Sequence, residues 1–204
     1  MLGRVRQAVN DAEPPPDPCA EPAYRTNLDL GVSELLDLFA GRVADYRATV
    51  TRVSAGGVAD ALTAACREHE VDRLGVPPGL PDRFRSAGVD LVDDARLSPA
   101  ELDRLDGALT GAAVAIAETG TIVLDGGPHS GRRALTLVPD LHLCVIEADQ
   151  VVGLLPEAIE RLQPAVRNGQ PLTFVSGPSA TSDIELSRVE GVHGPRTLAV
   201  ILVS

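Results

Sequence analysis

The chain has 204 residues, 44% hydrophobic and 23% charged, a composition typical of a globular protein with one substantial core. Its formal net charge of −11 argues against a nucleic-acid partner, because phosphate binding needs a basic surface. All 18 basic residues are arginine, which excludes lysine Schiff-base chemistry and a P-loop lysine.

The sequence indicates neither a membrane span nor a metal site. No apolar run reaches the roughly 18 residues that a membrane span needs, and the N-terminus lacks the apolar stretch of a signal peptide. We therefore expect no membrane span and a cytoplasmic location. Cys19, Cys66 and Cys144 are far apart, and no histidine pair has ligand spacing. The pattern predicts neither an iron–sulfur cluster, nor a metal site, nor any other cofactor.

The first 27 residues are predicted to form an arm, and residues 28–204 a single α/β domain. Residues 1–12 have the spacing of an amphipathic helix, whereas the proline-rich residues 13–18 cannot be helical. Two interpretations of the arm remain open, docking on a partner subunit and a disordered tail.

The first half of the domain alternates helical and β-type patterns. Helical spacing covers residues 32–46 and 58–70, and β-rich runs cover residues 48–53, 73–76 and 89–92. Ser98, followed by a proline and by Glu101, predicts a capped helix start. This alternation predicts a mainly parallel sheet with helices on both faces.

The second half changes to closely spaced β-like runs, which predict β-hairpins added to the parallel sheet. One helix is expected at residues 155–166. The predicted β segments are residues 111–117, 122–124, 135–138, 141–146, 172–175 and 198–203.

A small-residue loop at residues 176–179 is the strongest candidate for chemistry. It follows a predicted strand and precedes residues 182–185, whose Ser-Asp-Ile-Glu sequence fits a capping box at a helix start. Free N–H groups at a helix N-terminus and nearby hydroxyls favour an anion, and ligands collect at strand-to-helix edges. A well-capped loop without a ligand explains the pattern equally well. The anion-binding candidates in this segment are Ser176, Gly177, Ser179 and Thr181.

His193 is a catalytic candidate on the turn before the last strand. Gly191 is predicted to end the helix that starts near Asp183, and Pro195 blocks its continuation. An imidazole titrates near neutral pH, which suits acid–base chemistry, although a surface or structural histidine is the simpler interpretation.

Glu118 is a second catalytic candidate, at the junction of an apolar strand and a glycine turn. A partly buried glutamate there could be a nucleophile or a general base, and a turn residue pointing to water is the alternative. Arg133 is a candidate carboxylate or phosphate ligand, since its guanidinium suits bidentate anions. His142 is grouped with it as an anion-binding candidate and, like His129, is too isolated to be a metal ligand.

Taken in chain order, these motifs resemble the LUD-domain family, over about residues 30–204 and most specifically in the C-terminal third. The resemblance implies the fold shared by ribose-5-phosphate isomerase, glucosamine-6-phosphate deaminase and CoA transferases. It also implies a role in converting L-lactate to pyruvate with two iron–sulfur partner proteins, this chain lacking cluster-binding cysteines. The motifs are residues 117–121, 133–135, 139 with 142, 176–179, 183–185 and 191–195.

Two other functions remain open. One is an independent CoA-transferase-like or sugar-phosphate-isomerase-like enzyme with Glu118 as base or nucleophile; the absence of lysine weakens the isomerase. The other is a regulatory protein that binds a small carboxylate. In each case we expect Glu118, Arg133 and the 176–179 loop to converge on one pocket at the strand ends, with His193 nearby, and to hold a small carboxylate or phosphate.

Overall fold

The computed structural model describes residues 3–4, 7, 24–85, 88–178, 180–182, 188–190 and 194–204. Within the predicted N-terminal helix, the described Gly3, Arg4 and Gln7 have helical backbone, and the rest of that segment lies outside the described residues. The proline-rich residues 13–18 also lie outside them.

The elements alternate along the first half of the chain and become strand-rich in the second half. In chain order they are α1 (Val32–Asp45), β1 (Thr49–Val53), α2 (Val58–Glu68), β2 (Arg73–Val76), β3 (Asp90–Asp93), α3 (Pro99–Leu102), β4 (Gly107–Gly111), β5 (Val114–Ile116), β6 (Thr121–Leu124), β7 (Leu141–Glu147), β8 (Val151–Val152), α4 (Leu155–Arg167), β9 (Thr173–Val175), β10 (Ala180–Ser182), β11 (Arg188–Glu190) and β12 (Thr197–Val203).

A six-stranded sheet forms the centre of the fold, with strand order β1-β12-β7-β4-β2-β3. Every neighbouring pair in it is parallel. Every residue of β4 is buried, and β7 and β12 are buried except at one end, because parallel strands covered on both faces are apolar on both. The predicted α/β class is confirmed.

Helices cover both faces of this sheet. Since successive residues of a strand point to opposite faces, β12 contributes to two separate cores. Ile201 packs with Leu62 of α2 on one face. Val200 packs with Phe39 of α1 on the other. The spacing of apolar residues in each helix therefore matches the face it buries.

The predicted hairpin additions form a second sheet, with strand order β8-β5-β6-β9. β5 and β8 start just after the carboxyl ends of β4 and β7, and they pair in parallel. β6 is antiparallel to both β5 and β9. Helix α4 covers one face of this sheet, where Ala158 and Leu162 pack on Val114 and Ile116.

One predicted strand is wrong, and one predicted helix lies largely outside the described residues. Residues 135–138 form turns rather than a strand, and Leu135 is fully buried against Leu102 and Ala108, so burial without strand pairing produced the apolar pattern. Of the helix expected from residue 183 to residue 190, residues 183–187 lie outside the described residues, and residues 188–190 form the strand β11, which pairs antiparallel with β10. Thr181 pairs with Val189 there, and β-branched residues favour strands.

The predicted cap at Ser98 is confirmed. The Glu101 N–H donates to Ser98 Oγ at 3.3 Å, and the Ser98 N–H donates to Glu101 Oε2 at 2.7 Å. None of the helices in the described ranges is long and apolar enough to cross a membrane.

Candidate functional site

Glu118 lies in the turn between β5 and β6 of the second sheet. Its N–H donates to Gly153 O at 3.1 Å, and its Oε1 accepts from Arg25 Nη2 at 2.6 Å. The two side chains are 42% and 68% exposed, so the ion pair is worth at most about 1 kcal/mol. A ligand carboxylate could therefore replace Glu118 at Arg25 at little cost.

Glu118 and Arg25 line an open cavity of about 1090 Å³, here called the Glu118 pocket. Leu155 and Ile159 of α4 give it an apolar wall that is partly exposed. Two arginines and two glutamates supply its charges. This combination suits an organic anion with an apolar part. The lining residues are Tyr24, Arg25, Glu118, Leu154, Leu155, Pro156, Ile159, Glu160, Gln163 and Arg167.

A row of hydroxyls joins the turn after Glu118 to the small-residue loop. Thr119 Oγ1 lies 2.7 Å from Thr121 Oγ1, which lies 2.8 Å from Ser176 Oγ. The next residue, Gly177, has φ +88 and packs against Tyr46, which precedes β1. The tertiary structure thus brings Ser176 and Gly177 beside the turn that carries Glu118.

The surroundings of this loop differ in part from the expected strand-to-helix edge of the parallel sheet. The loop follows β9, a strand of the second sheet, and leads to the strand β10, and the helix start expected at residues 183–185 lies outside the described residues. Its contact with Tyr46 places it near the amino end of β1, away from the carboxyl edge of the parallel sheet.

Arg133 and His142 form a second group. Arg133 Nη1 donates to Thr136 O at 2.8 Å, and His142 Nε2 lies 2.8 Å from Thr110 Oγ1 inside the parallel sheet. Complete burial, and then the positive charge of Arg133, lower the pKa of His142 to about 4. Burial also lowers the pKa of the Arg133 guanidinium. His142 is therefore neutral at pH 7.

Cys144 extends this buried cluster along β7. Its Sγ lies 3.9 Å from Thr110 Oγ1, and burial raises its pKa to about 12. The thiol is thus protonated at neutral pH and has no nucleophilic character. Cys66 is buried on the opposite face, where burial raises its pKa as well.

The described contacts leave the predicted site residues in two groups. Arg133 and His142 interact with each other, and Ser176 joins the Glu118 turn. Thr181 lies in β10, and Ser179 and His193 lie outside the described residues. Convergence of all these residues on one pocket stays a prediction.

Sequence reasoning missed two arginines. Arg25 was assigned to the arm, yet it pairs with Glu118. Arg132 Nε and Nη2 bind both oxygens of Asp94 at 2.8 and 2.6 Å, so the bidentate geometry expected of Arg133 occurs within the fold at its neighbour. The adjacent Arg132 and Arg133 indicated a carboxylate-binding side chain, but the sequence alone does not show which of the two binds the carboxylate.

Among the described residues, no group of three His, Cys, Asp or Glu side chains could hold a metal ion.

This architecture and site define an α/β protein with a hairpin sheet appended to a parallel sheet and an exposed glutamate–arginine pair. The model of the LUD domain matches residues 94–203, a span that contains all the predicted site residues. The chain belongs to the LUD-domain family.

Individual relatives extend this similarity beyond the matched domain. Lactate utilization protein C of Deinococcus radiodurans is 47% identical over 204 residues, covering 100% of this chain and 93% of the relative. Lactate utilization protein C of Bacillus velezensis is 25% identical over 205 residues, covering 90% and 84%. The crystal structure of a DUF162 family protein from Deinococcus radiodurans superposes with a TM-score of 0.75 at 43% identity, covering 86% of this chain and 99% of that one.

Proposed function

We propose that this protein acts in lactate utilisation, as a cytoplasmic component of a system that oxidises L-lactate to pyruvate with iron–sulfur partner proteins. The observation that carries the proposal is the 47% identity with a Lactate utilization protein C over the whole chain. Because the identity includes the arm as well as the domain, it is stronger support than a shared fold.

The proposed iron–sulfur partners are those that the family resemblance implies, and electron balance requires an electron acceptor of this kind. Oxidation of L-lactate to pyruvate releases two electrons, which the partner's clusters would accept, and two protons, which would pass to a protein base and to solvent. A cluster held by cysteine thiolates needs four of them, and this sequence has three cysteines. Cys66 and Cys144 are buried, and burial raises the pKa of both thiols. The chemistry of these residues therefore supports a division of labour in which another protein carries the clusters.

Within this function, we assign Glu118 and His193 the catalytic roles. Glu118 is the better supported of the two, since it lies in the large open cavity beside the guanidinium of Arg25. A carboxylate ligand bound to Arg25 would release Glu118 to accept a proton. The anion-binding residues of the proposal are Arg133, His142, Ser176, Gly177, Ser179 and Thr181.

Gene deletion tests the proposed function. We expect a clean deletion strain to lose growth on L-lactate while it keeps growth on pyruvate, and the wild-type gene to restore it. A Glu118→Gln gene should fail to restore it, although the variant accumulates to normal levels. Normal growth of the deletion strain on L-lactate, with no second copy of the gene, would overturn the proposal.

Co-purification tests the proposed partners. The tagged protein from lactate-grown cells should retain a cysteine-rich, iron-containing protein, whereas the protein purified alone should be colourless and free of iron. Stoichiometric iron and sulfide in the isolated chain would contradict this division of labour.

A second candidate function is an independent acyl-transfer enzyme with Glu118 as nucleophile. It is favoured by the same exposed glutamate in a cavity large enough for more than a small acid. An exchange assay with an acyl thioester and a free carboxylate tests it, and Glu118→Gln should abolish any turnover that is found.

A further inference from the structure

A second cavity, here called the carboxyl-edge cleft, opens beyond the two central strands of the parallel sheet. It has a volume of about 420 Å³. Ala112 and Ala113, which follow β4, and Gln150, which follows β7, line it together with the loop at residues 128–130 and part of α4. Ligands of open α/β sheets bind at this edge, outside the carboxyl ends of the strands.

The cleft has a half-buried acceptor, the Asp125 carboxylate, which is held in part by a buried serine. Ser130 is 1% exposed, and its Oγ donates to Asp125 Oδ1 at 3.1 Å. The Gly127 N–H donates to the same oxygen at 2.9 Å. Within the described part of the chain, both hydrogen bonds of this carboxylate go to Oδ1, which leaves Oδ2 as an acceptor for a hydroxyl group.

The framework around this carboxylate is fixed by hydrogen bonds. Gln150 Nε2 donates to Ala112 O at 2.6 Å, and its Oε1 accepts from the Glu147 N–H at 2.8 Å. The Gly111 N–H donates to His129 O at 2.9 Å and holds the loop against the end of β4. A binding site on such a framework is preorganised.

A cation lies at the rim of the cleft. Arg161 of α4 lines the cleft, and its Nη1 donates to Asp149 O, which anchors the guanidinium. The other N–H groups of this side chain suit a planar anion. Since Asp125 repels an anion, the charged end of a ligand belongs at Arg161 and an uncharged donor at Asp125.

We propose that the carboxyl-edge cleft binds a small organic anion that carries a hydroxyl group. Arg161 binds the anionic group, Asp125 accepts the hydroxyl proton in a hydrogen bond, and His129 lies on the adjoining loop. α-Hydroxy acids and sugar phosphates share this chemistry. The choice of L-lactate as the first probe rests on the proposed function, whereas the site itself is separate from the Glu118 pocket.

Calorimetric titration of the full-length protein tests the proposal. We expect L-lactate or ribose 5-phosphate to bind, and Arg161→Gln to weaken that binding at least about tenfold. Arg104→Gln is the matched control, because it removes an exposed arginine just before β4, at the opposite edge of the sheet, and should leave binding unchanged.

Propionate, which lacks the hydroxyl group of L-lactate, tests the role of Asp125. Asp125→Asn should weaken the binding of L-lactate about tenfold, whereas that of propionate should not weaken, because propionate makes no hydrogen bond to Asp125 and loses only the repulsion of its charge. Circular dichroism would verify that the variant is folded, and Asp125→Ser provides a second variant with a smaller side chain.

The outcomes separate the cleft from the proposed function. Binding of either probe that depends on Arg161 supports the cleft, and the probe that binds identifies the ligand class. Absence of binding by both probes, or equal binding by Arg161→Gln, overturns the cleft even where the deletion strain fails to grow on L-lactate. If a probe binds in a way that depends on Arg161 but the deletion strain grows normally on L-lactate, the binding site in the cleft is supported and the proposed function is contradicted.

Discussion

The Arg132 guanidinium binds both carboxylate oxygens of Asp94, whose side chain is 1% exposed. Asp94 follows β3, and Arg132 lies in the long segment between β6 and β7, so the pair ties two distant parts of the chain together. Hydrogen bonding to Asp94 also raises the pKa of Arg132. The pair is thus a structural contact within the fold.

We expect Arg132→Ala to lower the free energy of unfolding by about 2–4 kcal/mol, because the buried carboxylate loses its partner. Solvent screening of the partly exposed arginine keeps this loss below that expected for a fully buried pair. Arg83→Ala is the control, since its ion pair with Glu147 is exposed and should cost less than about 1 kcal/mol. Urea unfolding measures both, and equal losses would contradict the structural role of Arg132.

Stability should fall as the pH is lowered below neutrality, through His142. The pKa of His142 is about 4 in the folded protein and about 6.5 in the unfolded chain. Between these two values the unfolded state binds more protons than the folded state. The contribution of His142 to stability is therefore fully present above pH 6.5 and is lost progressively as the pH falls towards 4. The loss is on the order of 3 kcal/mol.

Urea unfolding at pH 7 and pH 5 measures this slope. His142→Gln should reduce it, whereas His129→Gln, which changes an exposed residue, should not. An NMR titration in which the His142 ring protons shift near pH 6.5 in the folded protein would contradict the assignment.

Gly177→Ala should destabilise the protein by about 2–4 kcal/mol, through a left-handed backbone and a close contact. Its φ is +88, and an added Cβ would lie 2.5 Å from Tyr46 Cβ. Gly169 has a similar φ of +69 with no atom within 4 Å of an added Cβ, so Gly169→Ala should cost only about 1 kcal/mol. Thermal unfolding compares the two, and equal effects would mean that the Tyr46 contact is unimportant.

The thiols of Cys66 and Cys144 should be unreactive in the folded protein. Both are buried, and burial raises the pKa of each, that of Cys144 to about 12. A Cys19→Ser variant removes the remaining cysteine, so DTNB should label no thiol in native buffer and two thiols in urea. Rapid labelling without denaturant would show that one of these sites opens locally.

Much of the fold could be predicted because its signals are local. Helical spacing at residues 58–70 and the β-rich run at residues 73–76 each specify an element without reference to the rest of the chain. The failures occurred where local signals were ambiguous. Residues 135–138 have an apolar pattern like that of a strand, but they form turns, because Leu135 is buried without strand pairing.

The sequence by itself determined the α/β class, the family, the order of the core elements and the residue types available for chemistry. Only the tertiary structure decided which of these residues meet. Ser176 joins Thr121 across a hydrogen bond, Glu118 meets Arg25, and Arg132 rather than Arg133 forms the bidentate pair with a carboxylate. Neighbouring residues encode periodicity and caps, whereas contacts between distant residues depend on how whole faces pack, and two adjacent arginines look alike until that packing separates them.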